Sequence, residues 1–548
     1  MRTETQSNRE SGNKSQPLPQ RPGRFLSLQV FSVIFVVILV LHGPLLRLPF
    51  FWDEAGFYIP AVYDLVHSHS LIPHTTLDTG HPPLPAAYLA LWFGLGGWQP
   101  AVARIAMLLL AAFALTNVFL MARRLAGIGV AVASTVATAV YPIFFVQSSL
   151  AHADLPAAAF TLWGIRLAVE RRLWPSQLAF SLAVLSKETA VITPLALAIW
   201  ELWAAREEPV RKRLAQSAIF LTPLLPLLAW LAYHHHATGR FFGDAAFYRY
   251  NVTQAMSPLR FVLALGLRLW ALFGIMNMLA LTAAMAVAMR FPPVVDETGE
   301  RKRIAIPVQL QFALIMLAHV LTFSLLGGAM LTRYLLPAYP LVIIIAMSTL
   351  HRRILRWEWP AAVTVIFFVL ALFFDPPYRF APEDNLTYRD FIQLHVQAAH
   401  FLEQHERQST VLTAWPAKDE LSKPYLGYVS TPFQVVPVND FTVEEMLRAR
   451  QMRGQYQVAY VFSTKYESST WFRSQFWDKL NRRFFDYHRD TSPEIAAEML
   501  EGKPLYVARR KAEWVAIIEI EQPSRMAAAR ENLATDLSRR AVDEHGSH

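Results

Sequence analysis

Between Phe25 and Asp375 the chain is largely a succession of apolar runs, each about 20 residues long, enough to cross a hydrocarbon core of about 30 Å as a helix. No other feature restricts the fold as strongly, because backbone groups in lipid must pair within their own segment. Its 548 residues are 54% hydrophobic with a mean hydropathy of +0.26, as a polytopic membrane protein requires. After Asp375 the runs stop, and Glu, Arg, Lys and Asp recur at ordinary spacing. The sequence therefore predicts a polytopic α-helical membrane region over residues 25–375 and an external soluble α/β domain over 376–520. Residues 1–24 read as a disordered cytoplasmic tail and 521–548 as a polar tail.

The formal net charge of +9 does not point to nucleic acid, because the basic residues lie in short clusters between apolar runs. Short loops rich in Lys and Arg face the cytoplasm, and that rule threads the chain. With the N-terminus inside, the first span (26–47) delivers Trp52-Asp53-Glu54 to the outer face. The first external loop, 48–100, contains an apolar stretch, Leu84 to Leu95, too short to cross and read as an interfacial helix. About eleven spans follow from this choice, among them 101–122, 127–146, 260–289 and 359–375, with residues 176–204 broken at Lys187-Glu188 into two short helices. Arg123-Arg124, Arg171-Arg172, Arg301-Lys302-Arg303 and Arg352-Arg353 then all face inward, and the C-terminal domain lies outside. That domain shows helical patterns at 388–407, 443–454 and 471–483, and strand-like runs at 410–414, 435–438, 458–462 and 515–520. The chain contains no cysteine, which excludes disulfides and thiolate chemistry.

Ionisable residues at membrane depth are costly and mark function. In this threading Asp53, Glu54, His81, His152, Asp154, Lys187, Glu188 and Arg333 all sit at outward-facing ends, with Tyr58 and Tyr334 beside them, and the inner half reads as almost purely apolar. A transporter or flippase of lipid-linked substrates, the alternative function, is expected to carry charges near the midplane and paired halves. No such repeat is found.

The order Trp52-Asp53-Glu54 with Tyr58, His81-Pro82-Pro83-Leu84, Asp154, Ser186-Lys187-Glu188-Thr189 and Arg333-Tyr334-Leu335-Leu336-Pro337 resembles the GT-C superfamily of membrane glycosyltransferases. Within it, residues 26–375 look like the bacterial branch holding aminoarabinose transferases and relatives of protein O-mannosyltransferases. The resemblance implies a hexosyl- or pentosyl-transferase with a polyprenyl-phosphate-linked sugar donor, an inverting transfer and a site at the outer face of the cell inner membrane. It carries the catalytic acids onto Asp53 and Asp154. Where aminoarabinose transferases have Glu-Lys before the paired prolines, in a region tied to metal and lipid phosphate, this chain has Gly80-His81, which looks more like the mannosyltransferase relatives.

Transfer from such a donor expels a phosphate monoester, which needs cations more than an acid. Asp53 is the expected base toward the acceptor. His81, Lys187, Arg333 and Tyr334 are the expected phosphate ligands. Glu54, Tyr58 and Glu188 complete the candidate site, and Glu54 with Asp154 are the candidate ligands of a divalent metal ion. Lipid, glycan and protein acceptors all fit, with membrane lipid as the surroundings.

Overall fold

The computed structural model describes residues 24–204, 208–245, 257–297, 299–326, 328–466, 475–485 and 487–520. Both polar tails lie outside these residues, as does the first part of the helical pattern at 471–483. The chain is a multi-pass membrane protein, mostly helical, with a mixed β-sheet near its C-terminus.

Among the described residues, three helices are long and apolar enough to cross a membrane: Phe25–Leu45, Pro100–Ala126 and Ile306–Leu325. Two bent pairs bring the number to five, and four shorter apolar helices accompany them. Helices thus stand at the expected positions, but most are shorter or more broken than single spans. Pro100–Ala126 is the central one. Pro100 opens it where no intrahelical donor is needed, Arg123 and Arg124 face its negative end, and Gly127 at φ 97 closes it. Its apolar window is 78% buried against 11% for the first span, whose side chains face outward toward lipid.

The breaks have local causes. Tyr141 is extended ahead of Pro142, which splits the expected 127–146 span into Ile128–Val140 and Pro142–Gln147. Lys187, also extended, separates Leu173–Ser186 from Ile192–Ala204, as its charge predicted. The expected span 260–289 is instead two helices, Pro258–Phe273 and Met278–Ala288, bent by 80°. Met276 and Asn277 both adopt left-handed backbone there, a conformation that ends a right-handed helix.

Along Pro100–Ala126, Arg104 and Arg124 lie roughly 30 Å apart at 1.5 Å per residue. Lys302 donates to the Arg124 carbonyl at 3.0 Å, Arg301 to the His351 carbonyl at 2.8 Å, and Arg352 pairs with Glu300 at 2.8 Å. Three basic clusters assigned to one face therefore meet at one end of the molecule. Arg104 marks the other end, with the acids described below.

The sheet has five strands: β1 (Val411–Ala414), β2 (Val435–Val438), β3 (Val458–Phe462), β4 (Gly502–Arg510) and β5 (Glu513–Ile520), in the order β2-β1-β3-β5-β4. β1 pairs parallel with both β2 and β3, and β5 antiparallel with β3 and β4. Helix Thr387–His405 covers it through Phe391, Leu394, Ala398 and Leu402. One continuous apolar core joins the sheet to the helices, so the sheet region is seated on the membrane region.

Candidate active site

The motif at the end of the first span is built on an unusual backbone. Trp52 has φ 46, and Glu54–Tyr58 form one wide π-type turn. Such turns are uncommon and gather at functional sites. Phe51 packs against Tyr388 and Phe391, and Trp52 against Phe391 and Trp415, all of them from the C-terminal region. A β-carbon at Gly56 would lie 2.1 Å from Nε1 of Trp415, so only glycine lets that indole rest on the turn.

Glu54 is wholly buried. Oε1 accepts from Nη1 of Arg104 and from the Ala151 amide, and Oε2 from Nη2 of Arg104 at 3.0 Å and from the Phe51 amide at 2.7 Å. Arg104 also donates to the carbonyls of Pro49 and Ser149. This bidentate pair clamps residues 49–54 to residues 149–151 and thereby sets Asp53 opposite Asp154.

Arg333 stands between the acids. Its Nη2 donates to Asp53, its Nη1 donates to Glu383 at 2.5 Å, and its Nε lies 3.3 Å from Oδ2 of Asp154. Lys187 Nζ donates to Oδ1 of Asp154 at 2.7 Å and sits 4.5 Å over the Tyr334 ring. Arg268, also buried, lies 5.5 Å from the centroid of the same ring and donates to the Leu331 carbonyl at 2.6 Å. Two cations thus face three carboxylates in a site where little water screens them. Burial, resisted by Arg333, pushes the Glu383 carboxyl well above the usual carboxylate range. Burial also raises Asp384 to about 7, although the Thr332 hydroxyl and the Ala381 amide donate to it. His152 is held well below its usual range by burial and by Arg333, so its ring is neutral.

His81 and Glu188 form their own pair at 2.8 Å, next to the Arg333 cluster rather than in it. The Tyr58 ring bridges the two groups, 6.2 Å from His81 and 5.7 Å from His152. From here an apolar cleft with about 690 Å³ of empty space, partly open to solvent, runs between Leu65, Leu71, Leu77 and Leu89, with Asp78 and Trp230 on its wall. His234 lies 2.9 Å from Asp78, and the Trp230 indole donates to the Gly80 carbonyl, which fixes the loop carrying His81.

The structure therefore brings Asp53, Asp154, Lys187, Arg333 and Tyr334 into one cluster, with Tyr58, His81 and Glu188 adjoining it. Glu54 stands behind them as a clamp. As a metal ligand it does not fit: both its oxygens are taken by donors, it shares no partner with Asp154, and Asp154 already faces two cations. Among the described residues no group of three His, Cys, Asp or Glu side chains is arranged to hold a metal ion.

Four site residues escaped the sequence reading. Glu383 and Asp384 lie in the polar C-terminal stretch, where acids carry no signal. Arg104 and Arg268 sit inside apolar runs, and their charge at membrane depth was the signal. Nor is the opposite half purely apolar, since Arg166 there donates to Asn117 at 2.8 Å and pairs with Glu170.

Residues 80–230 match the family model described as dolichyl-phosphate-mannose-protein mannosyltransferase. Two solved structures share the fold. ArnT from Cupriavidus metallidurans in the apo state superposes with a TM-score of 0.53 at 15% identity, over 90% of this chain and 97% of that one. The same protein bound to undecaprenyl phosphate gives 0.52 at 15% identity over the same shares. No curated protein matches the sequence.

Proposed function

We propose that this membrane glycosyltransferase, of the GT-C mannosyltransferase and aminoarabinose transferase kind, moves a sugar from a polyprenyl-phosphate donor to a lipid, glycan or protein acceptor with inversion. The observation that carries the reading is the convergence on Arg333 of Asp53 and Asp154, from distant parts of the chain, beside Lys187. The relative bound to undecaprenyl phosphate supports the donor class.

In this reading Arg333 and Lys187 receive the phosphate and stabilise the charge that grows on it as the glycosidic bond breaks. Tyr334 packs under Lys187, and His81, fixed by Glu188, lines the approach from the apolar cleft, which takes the first isoprene units. The acceptor hydroxyl attacks the anomeric carbon from the face opposite the phosphate while Asp53 takes its proton. A carboxylate in an arginine's grip is a poor base, so the incoming phosphate, by competing for Arg333, strengthens Asp53. Asp154 holds both cations in place. The donor set does not fit a divalent ion, and no step is routed through one.

The basic end is read as cytoplasmic and the acidic end as external, in the cell inner membrane, with about eleven membrane passes made by the short and broken helices. Residues 25–375 then form the transferase region with its first external loop at 48–100, and residues 376–520 an external domain seated on it. Purified protein in lipid, given a panel of polyprenyl-phosphate sugars and a membrane extract as acceptor, is expected to release polyprenyl phosphate from at least one donor. Asp53→Asn should fold normally and lower that release by about 10²–10⁴-fold. Release from no donor, or normal turnover by a folded Asp53→Asn protein, rejects the reading.

A further inference from the structure

The terminal fork of Arg333 is filled by side chains. Nη1 holds Glu383 and Nη2 holds Asp53, so the two donors that would grip a phosphate in bidentate fashion each carry a carboxylate. Asp53 has a task of its own as the base. Glu383 has none, is buried, and comes from the turn Pro382–Asp384 that opens the C-terminal region. That turn is anchored beside Arg333: Asp384 accepts from the Thr332 hydroxyl, on the residue next to Arg333, and from the Ala381 amide at 3.3 Å. Glu383 is thus held at the guanidinium by a neighbour bonded to the same segment. Lys187 is held by Asp154 alone and Arg333 by three carboxylates, so an arriving phosphate meets its strongest competition at Arg333.

We propose that Glu383 is an intramolecular stand-in for the donor phosphate: it occupies the Nη1 edge of Arg333 in the free enzyme, yields it to the incoming phosphodiester, and reclaims it to expel polyprenyl phosphate after transfer. This rests on the assignment of Arg333 to the phosphate. The product carries more negative charge than the donor and would hold an unopposed Arg333–Lys187 pair more tightly than the substrate does. A carboxylate returning to Nη1 opposes that product inhibition. Glu383 acts through Arg333 and touches no reacting atom, so it is a positioning residue.

Undecaprenyl phosphate binding to the full-length chain in nanodiscs tests it. At about pH 9, above the raised Glu383 pKa of about 8, Glu383→Gln removes the competing charge and should tighten binding about tenfold, a gain that structural damage does not produce. Glu383→Ala, the second variant, should also bind more tightly, and Arg333→Ala more weakly than wild type. Weakened or unchanged affinity in folded Glu383→Gln and Glu383→Ala, together with weakened binding by Arg333→Ala, overturns the stand-in and leaves the functional reading intact. Wild-type affinity in Arg333→Ala removes the phosphate from Arg333 and overturns both.

Discussion

At the residue scale, adjacent acids do different work. Asp53 reaches Arg333, whereas Glu54 is spent on Arg104 and two backbone amides. Loss of one partner from a buried ion pair strands the other charge at a cost of about 3–5 kcal/mol. Arg104→Met should therefore lower the melting midpoint and yield of folded protein, while Asp53→Asn should affect turnover and leave the midpoint near wild type. Equal thermal loss in the two variants would contradict this division. Asp384 gives a pH signature. Its folded pKa, about 7, stands above the ordinary 3.8, so between these values the folded chain retains a proton that the unfolded chain has released. Stability from this group is full below about pH 4 and falls as pH rises through 7, by at most about 4 kcal/mol. Asp384→Asn should flatten that decline in melting curves from pH 4.5 to 8; an unchanged slope would refute the assignment. Asp53, Asp154, Lys187 and Arg333 were legible in the sequence because an ionisable group beside an apolar run needs a reason. Glu383 was not, since among the charges following Asp375 one more acid is unremarkable until the chain folds it onto Arg333.

At the element scale, the break that a charge makes at Lys187 was readable, whereas the one ahead of Pro142 and the bend set by backbone alone were not. Lys187 announced its break; the bend at Gly274–Asn277 did not, because the runs on either side are equally apolar. β4 was missed for a related reason. It is an edge strand, exposed along much of its length and carrying Lys503, Pro504, Arg509 and Arg510, so it lacks the alternating apolar pattern by which strands are recognised. Its pairing is supplied by β5, through a turn in which Lys511 is left-handed. The contact of Trp415 with the turn at Gly56 joins the sheet region to the Asp53-Glu54 motif. Gly56→Ala should force the indole away and cost about 1–3 kcal/mol. Trp415→Ala on that background should restore part of the loss, and a strictly additive double variant would show that the two do not meet.

At the scale of the molecule, charge sorts the ends. Arg124, Arg301, Lys302 and Arg352 meet beside the short antiparallel pair Val295–Asp296 and Gly299–Glu300, while Asp53, Asp154, Glu383, Arg333 and Lys187 gather where the sheet region is seated. Under the proposed function, a basic end and a phosphate-binding end on opposite sides of the apolar belt suit an enzyme working on externally displayed lipid-linked sugar, since short basic loops stay with the cytoplasm. Because the chain contains no cysteine, single cysteines report orientation without any background to remove. Lys503→Cys lies on the exposed face of β4, and Glu297→Cys at an exposed position directly after Val295–Asp296. In intact spheroplasts a membrane-impermeant maleimide should label Lys503→Cys and spare Glu297→Cys until the membrane is permeabilised. The reverse pattern would place the acid cluster in the cytoplasm, where the donor would have to present its sugar on the other leaflet. Labelling of both without permeabilisation would mean that the basic clusters do not mark an inner face, and the threading built on them would have to be abandoned.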